Sequence, residues 1–253
     1  MSWSTRRRNS IIAIFVLGVF LVVVVFLFFH FNQEPTCFDG IANGDEEGID
    51  CGGNCQQVCG FQAVDPVVLW SRMFEVQPGI YSAIAYIENP NISFAAKSVP
   101  YTFKMFDERN ILVQERDGII DLPPKMVVPV FEGTIITGER KPQRVFFELM
   151  SSVNWLKNES GILVGVSVTQ GSLENTQSNP RLKVAVNNSL FEDVFDLEVV
   201  ATVFDIDGNA VGASRTVIER IMPRSFEEVY FTWPNPFETT PVRSEVIVIP
   251  RVF

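Results

Sequence analysis

Histidine is almost absent: the chain has one, His30, in 253 residues. That excludes Ser-His-Asp and Cys-His catalysis, and it excludes metal sites built on imidazole. Any bound metal must then be held by oxygen, which points to calcium or magnesium. Nucleotide and nucleophile signatures are absent too. There is no G-x-S-x-G, S-x-x-K, P-loop or G-x-G-x-x-G. Positive charge is scarce, with 20 Lys and Arg against 30 Asp and Glu. Three of those cations are Arg6, Arg7 and Arg8, so the remainder carries 17 against 30, a net −13. Such a surface repels nucleic acid and anionic lipid and favours solubility. Long apolar runs are missing everywhere except in one place.

That place is Ile11–Phe31, twenty-one residues without Asp, Glu, Lys, Arg or Pro. About 20 apolar residues in a helix cross a hydrocarbon layer of about 30 Å. In lipid the backbone must bond to itself, so the Val and Phe content does not prevent a helix. Arg6, Arg7 and Arg8 precede the run and the first acid, Glu34, follows it. The positive-inside rule places residues 1–10 in the cytoplasm, a transmembrane helix at 11–31, and the rest outside a cell membrane. A cleaved signal peptide would need small residues where Phe28-Phe29-His30-Phe31 stands. His30 falls at the outer boundary as an interfacial side chain.

All four cysteines, Cys37, Cys51, Cys55 and Cys59, lie within residues 32–60. An even, clustered set in an oxidising compartment predicts two disulfides, with three pairings open. The spacing C-x13-C-x3-C-x3-C does not match the paired C-x2-C of zinc ribbons. Between Cys37 and Cys51, Asp39, Asn43, Asp45, Glu47 and Asp50 fall at positions 1, 5, 7, 9 and 12 of a calcium loop, with Gly44 at 6. Ile41 occupies position 3, where an oxygen belongs, Asp50 is shorter than the usual Glu, and no amphipathic helices flank the loop, so this is not an EF-hand. The stretch resembles the C-x-D-G-x-x-N-G-x-E-x-x-x-D-C-G-G-x-C modules beside membrane anchors in surface proteins. Two readings stand: calcium held by those five residues, or an acidic spacer that binds nothing.

From Gly60 onward, short runs alternate apolar and polar residues and are broken by Pro, Gly and Asn, which is strand-and-turn punctuation. Val99, Tyr101, Phe103 and Met105 are expected on one face of a strand. So are Phe195, Leu197, Val199, Ala201 and Val203. Each set leads into a turn, Phe106-Asp107-Glu108-Arg109-Asn110 and Phe204-Asp205-Ile206-Asp207-Gly208-Asn209. Ile87–Asn91 matches Val186–Ser189, Leu122–Pro124 matches Ile221–Pro223, and Val127–Phe131 matches Glu228–Trp233. An offset of about 100 residues indicates an internal duplication. Each copy is of β-sandwich size.

The pattern resembles FxLYD-type and related immunoglobulin-like domains of bacterial envelope proteins, more closely in the second copy. Ser71–Asn91 also resembles single-anchor envelope proteins of small-genome bacteria. The expected fold is mainly β: an N-terminal transmembrane helix, a small disulfide-rich module at 32–60, and two tandem immunoglobulin-like β-sandwiches at 61–152 and 153–253. Leu69–Phe74 is expected as an edge strand and Ser151–Ser160 as the linker. Trp155 is expected either at the seam between domains or in one core. Leu163–Val168 should open the second sandwich, and Glu245–Ile249 should end it, with Pro250 as the stop. Most of the 22 phenylalanines should be core. Asn91, Asn158 and Asn187 each begin an N-x-S sequence.

The function expected is non-enzymatic presentation of two binding or structural domains at the cell envelope, to a protein or polymer partner. The alternative is a subunit of a secretion, pilus or division assembly. A glycan-acting carboxylate enzyme is the third reading.

Overall fold

The computed structural model describes residues 3–31, 35–158 and 165–249. The chain divides into Met1–Cys55 and Gln56–Phe253. The first unit opens with α1, Trp3–Phe31, which includes a span from Arg7 to Phe29 long and apolar enough to cross a membrane. The helix begins earlier than the apolar run because no Pro or Gly interrupts the residues before it. The side chains of Arg6 and His30 lie outside the described residues, as do Glu34, Ser160–Leu163 and Pro250.

The rest of the first unit, from Pro35, is turns. Cys37 and Cys55 form a disulfide with a Cα–Cα distance of 5.6 Å. Cys51 and Cys59 are also disulfide-bonded, and no described cysteine is free. Gly53, at φ 53°, packs so closely on the Asp45 carbonyl that a Cβ would sit 1.6 Å from its oxygen. Only glycine fits there.

The second unit holds thirteen described strands. In the first half they are β1 Val67–Gln77, β2 Ile80–Asn89, β3 Phe94–Phe106, β4 Leu112–Leu122, β5 Met126–Ile136, β6 Arg144–Leu149 and β7 Trp155–Lys157. In the second they are β8 Val166–Glu174, β9 Arg181–Asn188, β10 Val194–Asp205, β11 Ala210–Ile221, β12 Ser225–Thr232 and β13 Pro241–Ile249. The sheets run β1-β2-β5 facing β4-β3-β6, and β8-β9-β12 facing β11-β10-β13. The order is the same in both halves, so each half is a β-sandwich with matching topology. The expected edge strand Leu69–Phe74 lies within β1, at a sheet edge.

The repetition extends to individual hydrogen bonds. Asn89 Nδ2 donates to the carbonyls of Phe94, Leu122 and Pro123. Asn188 Nδ2 donates to those of Glu192, Ile221 and Met222. Both asparagines are buried, and each satisfies carbonyls that the chain reversal would orphan. Asp107 Oδ1 accepts from the backbone of Arg109 and Ile111, and Asp205 Oδ1 from that of Asp207 and Asn209. Left-handed residues repeat as well: Ser98 with Asp196, Asn110 with Gly208, Lys125 with Arg224. Ser71 Oγ reaches the Val145 carbonyl as Gln170 Nε2 reaches that of Ser244, closing the same flank of each sandwich.

Three expectations change. Phe195 is 57% exposed rather than in line with Leu197, because left-handed Asp196 breaks the alternation between them. Few phenylalanines are core. Beyond α1, Phe103, Phe147, Phe204 and Phe231 are buried, whereas Phe38, Phe61, Phe146, Phe191, Phe195 and Phe226 are exposed. Several of these exposed rings sit at turns or strand ends, where alternation no longer assigns a face. Trp155–Lys157, past the expected boundary at 152/153, pairs with Phe94–Ala96 of the first half. Trp155 is buried there, and Val58 N donates to its carbonyl. Of the N-x-S asparagines, Asn91 is buried with its amide on the Val64 carbonyl, Asn158 is buried, and Asn187 is half-buried.

The two sandwiches are not beads on a linker. β2 and β10 are buried on both faces along most of their length. Alternate residues of β10 divide the work. Leu197, Val199, Ala201 and Val203 fill the second core, while Val200 and Phe204 join the core cluster of the first half, with Ala210, Ala213 and Ile249. The sheets β1-β2-β5 and β11-β10-β13 therefore meet face to face along an apolar seam.

Candidate functional site

The acidic loop of the first unit is held closed by its own carboxylates. Asp39 Oδ1 accepts from Ile41 N at 2.9 Å, and its Oδ2 accepts from Asn43 Nδ2 at 3.0 Å and Thr36 N at 3.3 Å. The Asn43 amide first, then the Ile41 N–H, holds the Asp39 carboxyl below its ordinary value. Asp50 spans Gly40 N with both oxygens, at 3.0 and 3.1 Å. Asp45 accepts from Asn54 Nδ2 at 2.7 Å.

The central acid is one that the calcium-loop count passed over. Glu46 Oε2 accepts from Asn43 N and Asp50 N, each at 3.3 Å. Glu46 is the glutamate of the C-x-D-G-x-x-N-G-x-E pattern itself, which was the available signal. Glu47 is exposed, and its N–H donates to the Cys51 carbonyl.

Of the five proposed ligands, Asp39 and Asn43 touch each other. Among the described residues, the one triad of Cys, Asp or Glu groups within 4.8 Å is Cys37, Glu46 and Cys55. Its two sulfurs are bonded to each other and so cannot serve as thiolate ligands. Asn43 Oδ1 is buried without a hydrogen-bond partner, beside a space of about 250 Å³ lined by Pro35, Thr36, Asp45 and Asn54. Arg7 and Arg8 of the N-terminal triplet are exposed, with the Arg7 guanidinium 5.6 Å from the Trp3 ring.

The second candidate is where the seam opens. Its closed part is aromatic. Trp70 stacks on Tyr86 at 4.3 Å and meets Phe204 edge-on at 6.2 Å. Tyr86 Oη and Thr202 Oγ1 are 2.9 Å apart across the seam. Burial pushes the Tyr86 phenol up to about 12. Farther along, the faces separate into a cleft of about 580 Å³. Phe74, Ile80 and Phe131 line it from the first half, and β11 from Ala210 to Ser214 lines it from the second.

Residues 233–240, rich in proline, strap across one side. Asn235 Nδ2 donates to the Val76 carbonyl at 2.7 Å, and Trp233 Nε1 to that of Ala213 at 3.2 Å. Arg72 donates to Asn209 Oδ1 at 2.6 Å across the same cleft. Residues 133 and 134 of β5 have no partner in the β2 register, and Thr134 stands at φ 55°. A β-branched residue there is strained. At the matching point of the second half, Thr232 pairs with Arg181 without a bulge.

A third polar cluster is structural. Tyr101 donates to Glu132 Oε1 at 2.7 Å, and Arg116 Nε to Glu132 Oε2 at 2.9 Å. Burial, then the hydrogen bond to Glu132, pushes the Tyr101 phenol upward. Gly118 makes the room: a Cβ would lie 2.3 Å from the Tyr101 oxygen.

No protein-family model matches this chain. No curated protein matches it either. Among solved structures, red sea bream transglutaminase aligns at 12% identity with a TM-score of 0.24, over 73% of this chain and 31% of that one. A Bacteroides uniformis beta-glucuronidase aligns at 14% identity and a TM-score of 0.23, over 70% and 25%. A beta-galactosidase of Bacteroides fragilis aligns at 11% identity and a TM-score of 0.20, over 69% and 33%. This chain spans about a third or less of the length of those proteins, and likeness at this level carries no argument about activity.

Proposed function

We propose that this chain is a membrane-anchored, extracytoplasmic, non-enzymatic protein. It presents a fused pair of immunoglobulin-like sandwiches, of FxLYD-like type, for binding at the cell envelope. α1 is the anchor, with Arg6, Arg7 and Arg8 on the cytoplasmic side. The observation that carries the reading is the seam. Two sandwiches joined through Trp70, Tyr86, Thr202 and Phe204 make one rigid head with a cleft between its halves. Rigid scaffolds with a concave opening suit recognition.

Topology provides the test. Every lysine lies at Lys97 or later, and Lys125 and Lys141 are exposed. A membrane-impermeant amine reagent on intact cells should label both. Labelling only after lysis would overturn the reading.

A second, local reading concerns the acidic loop. Calcium there would be held by Asp39, Asn43, Asp45, Glu47 and Asp50 and would stiffen the stalk. Its support is Asn43 Oδ1, a buried oxygen without a partner next to the Asp39 carboxylate. Calorimetric titration of calcium into the oxidised chain should give heat that disappears in an Asp45→Ala, Asp50→Ala variant. No heat, with no rise in Tm, would leave a disulfide-closed spacer.

A further inference from the structure

We infer that the inter-sandwich cleft seats an extended peptide segment bearing a Lys or Arg side chain. This rests on the reading of the fused head as a binding module, and three features give the ligand its chemistry.

The first is size and floor. About 580 Å³ falls inside the range of real ligand pockets, roughly 300–1,000 Å³. Phe74, Phe131 and Phe237, each half-buried, supply an apolar floor. That floor suits the aliphatic stem of a long side chain better than a compact ion.

The second is the backbone. β5 is an edge strand of β1-β2-β5, and its bulge leaves Gly133 and Thr134, which line the cleft, out of the ladder with β2. Bulges of this kind sit beside sites and redirect backbone groups. The matching strand β12 pairs regularly with β9 as far as Thr232, the counterpart of Gly133, and ends there. An extended chain lying along an edge is held through main-chain hydrogen bonds, with side chains choosing the partner.

The third is charge. Glu75, Asp205 and Glu238 line the cleft against one cation, Arg72. Arg72 is turned onto Asn209, and Asp205 onto its own turn and Thr239. Glu238 is exposed on the rim, and Glu75, also exposed, accepts from the Tyr81 phenol while keeping its charge at the cleft. Apolar floor and acidic rim together fit a stem that ends in a cation.

The test uses the full chain in nanodiscs and two labelled peptides, acetyl-Val-Lys-Val-Lys-Val-amide and its Glu counterpart. Fluorescence anisotropy should show saturable binding of the Lys peptide and none of the Glu peptide. Glu75→Gln with Glu238→Gln should weaken binding roughly tenfold, the scale of two partly screened ion pairs. Ser214→Trp, which fills the cleft, should abolish binding. Binding lost in Ser214→Trp but unchanged in the Gln variant would overturn the cationic assignment and leave the cleft as the binding surface. Binding indifferent to Ser214→Trp would overturn the inference and the cleft's part in the proposed function. Absence of binding by either peptide would overturn the inference alone.

Discussion

The two halves share a chain plan and differ in what fills it. Asn89 and Asn188 hold the same three carbonyls, and Asp107 and Asp205 cap the same turn. At one level of the core the chemistry diverges. The first half buries Tyr101 on Glu132, braced by Arg116 over Gly118. The second half has Val199, Phe231, Ser214 and Thr216 in those places, of which Val199 and Phe231 are buried apolar core. The repeat therefore keeps the polar groups that solve a backbone problem and lets the core exchange polar for apolar filling. A buried hydrogen-bonded cluster and a packed apolar pair can be near equals in stability, which permits the exchange.

The largest test addresses the seam. Trp70→Ala removes the ring stacked on Tyr86 and should destabilise by about 3 kcal/mol, the low end for Trp truncation. Calorimetry should then resolve two transitions, one for each half. A single transition at an unchanged Tm would show that the seam does not couple them.

Next, Asn89→Ala and Asn188→Ala should each cost about 2 kcal/mol, because buried carbonyls lose their donor. Urea denaturation measures both. Near-equal losses sustain the equivalence of the corners, and a neutral substitution in either half breaks it.

An effect of the same size sharpens the divergence. Gly118→Thr borrows the residue of the second half and should cost about 2 kcal/mol by overpacking against Tyr101. In a Tyr101→Val background, which also borrows from the second half, much of that cost should vanish. A double-mutant cycle without coupling would contradict the swap.

The smallest is a shared acid response. The backbone N–H groups of Ile111 and Asn209 are the leading causes that hold Asp107 and Asp205 below the ordinary carboxylate value. Folding then gains from ionised Asp above its unfolded value, about 4, and that gain is lost as pH falls through the lowered folded value. Asp205→Asn should flatten part of the acid limb of the stability profile, and Asp107→Asn should do the same. A profile unchanged by both would remove these turns from acid sensitivity.

Much of the plan was legible in the chain. The apolar run at residues 11–31 gives a helix long and apolar enough to cross a membrane, because length and hydropathy are local properties. The offset of about 100 residues reveals the duplication because turns need particular residues, and Asp107-Glu108-Arg109-Asn110 and Asp205-Ile206-Asp207-Gly208 announce them. Cysteine clustering gave two disulfides but not Cys37 with Cys55. A loop count passes over Glu46 because it places acids by position, whereas the fold sets Glu46 where two backbone N–H groups converge.

By itself, then, the sequence determined most of the elements, their repetition and the helix long and apolar enough to cross a membrane. Only the tertiary structure decided that the sandwiches fuse, since β2 and β10 read as ordinary strands until their second faces meet. Burial of Tyr86 against Thr202 is a relation between residues 116 apart, and no local pattern encodes it. The cleft follows from the same cause: it exists because two surfaces, each unremarkable alone, close over only part of their shared length.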